Sequence, residues 1–484
     1  MMFDSISFII LFPAVVIMYR LIPEKFRYIW LLVVSCAFYA SAQPQFLILL
    51  LFVTLLIYAS GLLLSLAKPQ PLKRIIIASS VVILIGILFV FKYLNFMISL
   101  MGSPVRFDII LPLGLSFYTF QAVSYVADVY RGRISAEKNI LKLALYLSFF
   151  LSIVSGPINR AEDILPQLSG SLPSYDQTKE GMQKMLWGYF LKLAVAGRLN
   201  IIVENVYGNI EGFSGFSLAV TALLYIFMLY CDFEGYSQIA TGGGYMLGIR
   251  MNENFRQPFF AESISQIWRR WHISLSTWFR DYLYIPLGGS RCGVARKYLN
   301  IFTVMFVSGI WHGADLSFFV WGTLFGIFMI AGQITLSYRD DAASLIKEKL
   351  FSSYGSRGIF DRAHVALRRI GVYISFAFIF IFFANDSLSS SLLVVRSIFT
   401  RFDCGGALAQ LTGLGLGRFN LLVAFLMMVF VLIADAAANK RQIPVPFLAA
   451  HIPTPARWAL YWILVSAILF SANLSGKEFI YSMM

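Results

Sequence analysis

An all-α, polytopic membrane fold is what this sequence predicts, and three observations carry that reading. Of 484 residues 58% are hydrophobic and only 13% charged, with a mean hydropathy of +0.73, whereas ordinary soluble domains carry about 25% charge. Uncharged runs near or above the roughly 18 residues of a spanning helix recur from one end to the other. Between them the basic residues gather in short loops.

Taken in order, the apolar runs are residues 5–19, 28–42, 46–66, 75–91, 109–127, 139–158, 185–203, 216–231, 298–311, 316–336, 371–384, 419–434 and 458–472. They predict about 11 to 13 membrane segments, some too short to cross alone. The first run carries Asp4 and no positive start, and more apolar runs follow it, so it is expected to be retained and not cleaved as a secretory signal. Basic loops belong on the cytoplasmic side. This places 20–27, 68–74 and 131–142 inside, 43–45 and 102–106 outside, and the N-terminus outside; 291–297, 339–369 and 440–457 follow as cytoplasmic. The same bias accounts for the net charge of +14 without a nucleic-acid partner.

With no long polar linker, low-complexity tract or repeat, residues 1–484 read as a single membrane domain. The polar insert 337–369, with "YRDDAASLIKEKL", is expected to be a solvated cytoplasmic loop helix. Residues 386–417 are expected outside and interfacial, because their glycines argue against a spanning helix. Cys36, Cys231, Cys292 and Cys404 lie far apart, without metal or redox spacing, so no metal site is assigned.

Residues 252–291 combine charge and aromatic rings between Pro258 and Pro286. Ser263 and Gln266 fit an S-x-x-Q capping box, and Ile264, Ile267, Trp268, Trp271, Leu275, Trp278 and Tyr282 recur at steps of three and four. One amphipathic helix follows, lying along the interface or against the bundle. Arg269, Ser276 and Arg280 take its polar face, and His272 sits on the boundary.

"YLNIFTVMFVSGIW" at 298–311 would reach about 21 Å as a helix, against a hydrocarbon core of about 30 Å. Gly309 and Gly313 then permit a tight turn, residues 316–336 return, and His312 falls at membrane depth. An ionisable group there is a functional expectation. From these residues alone His312 is either a reactive imidazole or a hydrogen-bonded structural one beside an interfacial Trp311. His364 and His451 belong to solvated loops. Asp232 and Glu234, in "YCDFEGYSQIATGGG", are expected to form a structural ion pair with Arg269 or Arg280, since an unpaired buried carboxylate is costly.

Five stretches share a further property: "LPLGLSFYTFQAVSYVADVYRG" (111–132), "SGPINR" (155–160), "DFEGYSQIATGGGYMLGIRMNENFRQPF" (232–259), "WRRWHISLSTWFRDYLYIPLGG" (268–289) and "GIWHGADLSFFVWG" (309–322). In this order, over residues 108–330, they resemble the catalytic core of the membrane-bound O-acyltransferase family, nearest to its bacterial alginate O-acetyltransferase branch. The resemblance implies helices around a central funnel, with re-entrant and interfacial segments, in the cytoplasmic membrane. It implies His312 as the essential catalytic residue and His272 as the second active-site position. It also implies acyl transfer to a hydroxyl of an extracytoplasmic polysaccharide, assisted by a secreted or periplasmic SGNH-type partner. Glu234, Gln238 and Cys292 depart from the branch, which usually has a small residue, Asp and a basic turn at those positions.

The chemistry agrees with the bare residues. An imidazole of ordinary pKa about 6.5 suits removal of a hydroxyl proton, and a thiolate leaves a thioester readily because free thiols have a pKa of about 8.5. With the resemblance to the acetylating branch, the donor is expected to be acetyl-CoA, with no bound cofactor. His312 is assigned as base, His272 as orienter or oxyanion stabiliser, and Trp311 and Trp271 as the packing that fixes them. Arg269 and Arg280 are candidates for donor phosphates, with Asp281 and Asp232 supporting. A D-alanyl transferase using a carrier protein is the runner-up. A transporter is the reading from another class, and the absence of a paired half-chain repeat weighs against it. Reporter fusions at Gln70 and Ser353 are expected to read as cytoplasmic; two external readings would overturn this topology.

Overall fold

The computed structural model describes residues 3, 5–170, 172–350, 354–385, 387–406, 409–410 and 417–471, and among these it is helical, without strands. Asp4 and parts of the 386–417 and 337–369 expectations lie outside the described residues. Among the described residues seven helices are long and apolar enough to cross a membrane: Pro44–Leu66, Gln70–Lys92, Tyr175–Tyr207, Gly215–Met246, Leu316–Ile334, Gly358–Ala384 and Gly417–Arg441. Two shorter apolar helices are Ile6–Leu21 and Leu388–Thr400. The chain groups into two compact units, residues 1–194 with 233–253 and 453–484, and residues 195–232 with 254–452.

In the first unit, helices Glu24–Ala40, Leu47–Leu66, Gln70–Lys92 and Leu115–Tyr130 pack with Ile140–Ser148. Gln43 clamps the chain ahead of Leu115: its Nε2 donates to the Leu111 carbonyl, and its Oε1 accepts from the Leu113 N–H at 2.7 Å. The run 139–158 is not one segment. Its helix stops at Ser148, and residues 149–160 continue as buried turns, where Gly156 and Pro157 cannot support a helix interior. Backbone buried outside a helix needs partners. Tyr146 supplies one, its hydroxyl donating to the Asn159 carbonyl at 3.1 Å, and Asn159 Oδ1 accepts from the Asn252 N–H at 3.1 Å.

The glycines of "YCDFEGYSQIATGGG" do not end a helix. They lie inside Gly215–Met246, which runs for 32 residues. A Cβ on Gly242 would stand 2.6 Å from the Gly181 carbonyl oxygen, and one on Gly188 2.6 Å from that of Gly235. Small residues are what allow helix Tyr175–Tyr189 and this helix to cross at backbone contact. Beyond Tyr189 the chain widens into a π-helical turn, Phe190–Ala196.

In the second unit, Val294–His312 and Leu316–Ile334 form a helical hairpin. The first of these is longer than its apolar run: it takes in Arg296 and Lys297 and spans 19 residues, about 28 Å. The tight turn expected of Gly309 and Gly313 is corrected here. Gly309 is helical, and Gly313 adopts extended backbone, φ −166° and ψ 160°, open to any residue. Contact is what demands glycine: a Cβ on Gly309 would meet the Phe318 carbonyl oxygen at 2.4 Å, and one on Gly313 would meet the Phe318 ring at 2.1 Å.

The polar insert is likewise not a loop helix alone. Leu336–Leu350 is followed by Tyr354–Ala384, a single 31-residue helix that passes from the insert into the apolar run 371–384. Lys347 with Asp361 at 2.7 Å and Arg368 with Asp340 at 3.4 Å tie these two helices together. Gly309→Ala is expected to destabilise the protein by about 1–3 kcal/mol through overpacking, lowering its melting temperature in detergent. Gly332→Ala, where a Cβ meets nothing within 4 Å, should leave it unchanged.

Candidate active site

The periodicity of 264–282 predicts one amphipathic helix; the structure breaks it in the middle. Helix Ile264–Arg270 ends, Trp271 is extended at φ −115° and ψ 129°, and His272 stands in the left-handed region at φ 45° and ψ 54° before helix Ile273–Phe279 begins. For a residue other than glycine that conformation costs on the order of 1–3 kcal/mol and has to be held in place. Asn254 and Arg256 hold it. The Ile273 N–H donates to the Asn254 carbonyl at 2.8 Å, the Ser274 hydroxyl to Asn254 Oδ1 at 2.6 Å, and the Arg256 N–H to the Arg270 carbonyl at 3.0 Å.

The capping expectation is half met. Ser263 Oγ accepts from the Gln266 N–H at 3.2 Å, and Gln266 Oε1 reaches the Glu262 N–H at 2.8 Å, one residue earlier than a reciprocal box requires. A complete box occurs instead at Ser174 and Gln177.

Two imidazoles meet in one aromatic box. His272 is 3% exposed and His312 4%, so neither is a surface histidine. The Trp311 ring lies 6.4 Å from that of His272 and 4.8 Å from that of His312. His312 faces Trp321 at 5.0 Å and Phe383 at 5.2 Å, both edge-on. Trp271 packs edge-on to Phe255 at 5.0 Å and Phe376 at 5.1 Å, and Trp321 and Phe383 both meet Phe380. Edge-to-face pairs prefer such separations, and this restricts ring rotation. Behind Trp271, the Tyr230 hydroxyl donates to the buried Asp435 carboxylate at 3.0 Å.

The structure thus brings together His272, His312, Trp271 and Trp311. Arg269 and Arg280 are exposed. Asp232 is buried in helix Gly215–Met246. The pairing expected of Arg280 is corrected: its Nε donates to the neighbouring Asp281 at 2.7 Å. Glu234 accepts from Gln238 Nε2 at 2.6 Å, one helical turn away. Arg270, passed over in the sequence, is the arginine engaged inside, donating to the Gln257 carbonyl and to Asn439 Oδ1 at 2.8 Å. Trp321, Phe380, Phe383, Tyr230, Asn254 and Asp435 were also missed. Only Asp435 leaves a sequence signal, a lone carboxylate at the edge of the apolar run 419–434.

Helices of this length and hydropathy, with two buried imidazoles sharing an aromatic box, describe a multi-pass membrane protein built around a histidine site. Residues 133–345 match the model of the MBOAT, membrane-bound O-acyltransferase, family. A Pseudomonas putida protein named "Probable alginate O-acetylase" is 34% identical over 461 residues, 92% of this chain and 90% of its own. A Helicobacter pylori "Peptidoglycan O-acetyltransferase" is 31% identical over 62% of this chain and 63% of its own. A Bacillus subtilis "Teichoic acid D-alanyltransferase" is 28% identical over 45% and 58%. The chain belongs to the membrane-bound O-acyltransferase family, and it is an O-acyltransferase.

Burial pushes the His272 imidazole down to about 3, so the ring is neutral at pH 7. Its folded value lies below the roughly 6.5 of an unfolded histidine. The stability tied to the neutral ring is therefore complete above about pH 6.5 and is lost as pH falls toward 3. His272→Asn removes the titration and tolerates left-handed backbone. Its melting temperature in detergent is expected to fall less between pH 7 and pH 5 than that of the wild type. His272→Val, β-branched at positive φ, should be the less stable variant by about 1–2 kcal/mol.

Proposed function

We propose that this protein transfers an acetyl group from acetyl-CoA, a cytoplasmic thioester, to a hydroxyl of an extracytoplasmic polysaccharide. The observation that carries the reading is the pair of buried imidazoles, His312 and His272, linked through Trp311. A ring clamped among aromatic neighbours is suited to proton transfer because its orientation is set before substrate arrives. The relatives from Pseudomonas and Helicobacter, both named for O-acetyl transfer, support the acyl group and the glycan class of the acceptor.

In this mechanism His312 takes the proton of the attacking hydroxyl. The hydroxyl oxygen bonds to the thioester carbonyl carbon, and the carbonyl electron pair moves to oxygen. When that pair returns, the carbon–sulfur bond breaks and the thiolate leaves with its electrons. The proton on His312 then passes to the thiolate or to solvent. His272, neutral and held by Asn254 and Arg256, orients the reacting groups or stabilises the oxyanion. Trp271 and Trp311 fix the two rings, while Asp232 and Asp281 are supporting residues. Arg269 and Arg280, exposed on the basic side of the broken helix, are the groups for the donor's phosphates.

This reading places the protein in the cytoplasmic membrane with its N-terminus outside. The donor then approaches from the cytoplasm, and a secreted or periplasmic SGNH-type protein takes the acetyl ester on its own attacking hydroxyl and passes it to a hydroxyl of the glycan. Cells carrying His312→Ala at normal protein level are expected to lose acetyl groups from the extracted envelope glycan, by a factor of about 10²–10⁴, as read by mass spectrometry. Wild-type acetylation in that variant would overturn the assignment. Loss of alanyl groups instead would move it to the D-alanyl reading.

A further inference from the structure

We infer that the Trp321 indole N–H donates a hydrogen bond to the carbonyl oxygen of the bound acyl group, beside His312. The inference rests on the acyl-transfer reading and assigns that site one more contact.

Trp321 is buried, and its ring stands 5.0 Å from the His312 ring at 79°. Phe325, Phe380 and Phe383 surround it at 5.4 to 5.5 Å. Phenylalanine would satisfy all of those ring contacts. What tryptophan adds is Nε1–H, and this atom is shut from solvent with no acceptor among the described residues. A buried indole N–H normally finds a partner, and it can only donate. Two hydroxyls in the same hairpin share its condition: Ser308 Oγ, one helical turn before His312, and Ser317 Oγ, in the first turn of the returning helix, are buried without partners among the described residues. The hairpin carrying the base thus holds three buried groups able to donate to a ligand. The ligand chemistry that answers such a lining is an oxygen that gains negative charge.

The acyl carbonyl is that oxygen. As the acceptor hydroxyl bonds to the carbonyl carbon, the carbon–oxygen π pair localises on oxygen, and a fixed N–H pointing at it stabilises the tetrahedral state more than the ground state. The pair then returns, the thiolate departs, and the hydrogen bond weakens again. No further reactant is needed.

The test is the rate of labelled acetate incorporation into envelope glycan in cells, with Trp321→Phe, Trp321 replaced by β-(3-benzothienyl)alanine, and His312→Ala each expressed as the full chain. The benzothienyl residue keeps the bicyclic shape and exchanges N–H for sulfur. It carries the test if the phenylalanine variant accumulates poorly. Both Trp321 replacements are expected to lose about 100-fold in rate while keeping the wild-type melting temperature in detergent. A wild-type rate in the benzothienyl protein would overturn the inference, and so would a rate loss matched by a fall in melting temperature. If His312→Ala is silent while both Trp321 replacements are active, only the N–H assignment fails. Wild-type activity in His312→Ala would instead remove the reading beneath it.

Discussion

Backbone contact between Gly309 and Gly322 is the constraint on which the candidate site depends. Helices in lipid gain little from burying apolar surface against one another, so their association leans on close packing. A Cβ on Gly322 would lie 2.6 Å from the Met305 carbonyl oxygen and 3.0 Å from the Gly309 Cα. With both Cβ atoms absent, the two arms of the hairpin close. His312, three residues past Gly309, and Trp321, next to Gly322, are thereby brought ring to ring. Everything further out, from Phe383 to Phe380 and Phe376, packs on that first approach.

In both units irregular backbone is stapled by polar side chains. Asn159 and Gln167 hold residues 250–252, Gln43 holds 111–113, and Asn254 holds the break at 271–272. Asn300 does the same for the turn that follows Pro286, donating to the Leu287 and Gly289 carbonyls. That turn does need glycine for its backbone, since Gly288 and Gly289 have φ of 104° and 59°. Several of the sequence stretches that carry the family resemblance are thus architectural.

Hydropathy made most membrane helices legible, because spanning length is a property of composition alone. His312 and His272 were legible as ionisable groups in apolar surroundings. The break at Trp271 and His272 was not, because Leu275 and Trp278 beyond it are buried like Ile264 and Ile267 before it, so the side-chain period continues where the backbone does not. Glycines misled in the opposite direction: Gly309 and Gly313 read as turn formers but serve as contact surfaces. Polar stretches at 232–244 and 354–370 looked like helix ends. Where a polar side chain finds its partner within one turn or on the adjacent helix, as Glu234 and Asp361 do, polarity does not end a helix.

The helix Tyr354–Ala384 joins two places that hydropathy keeps apart. Its first half is paired by charge to Leu336–Leu350, and its second half sets Phe376, Phe380 and Phe383 against the tryptophans of the histidine box. At 1.5 Å per residue it is a rod of about 46 Å, with no proline along its length. Its charged end and the phenylalanine rings around His312 are therefore carried on one continuous helix.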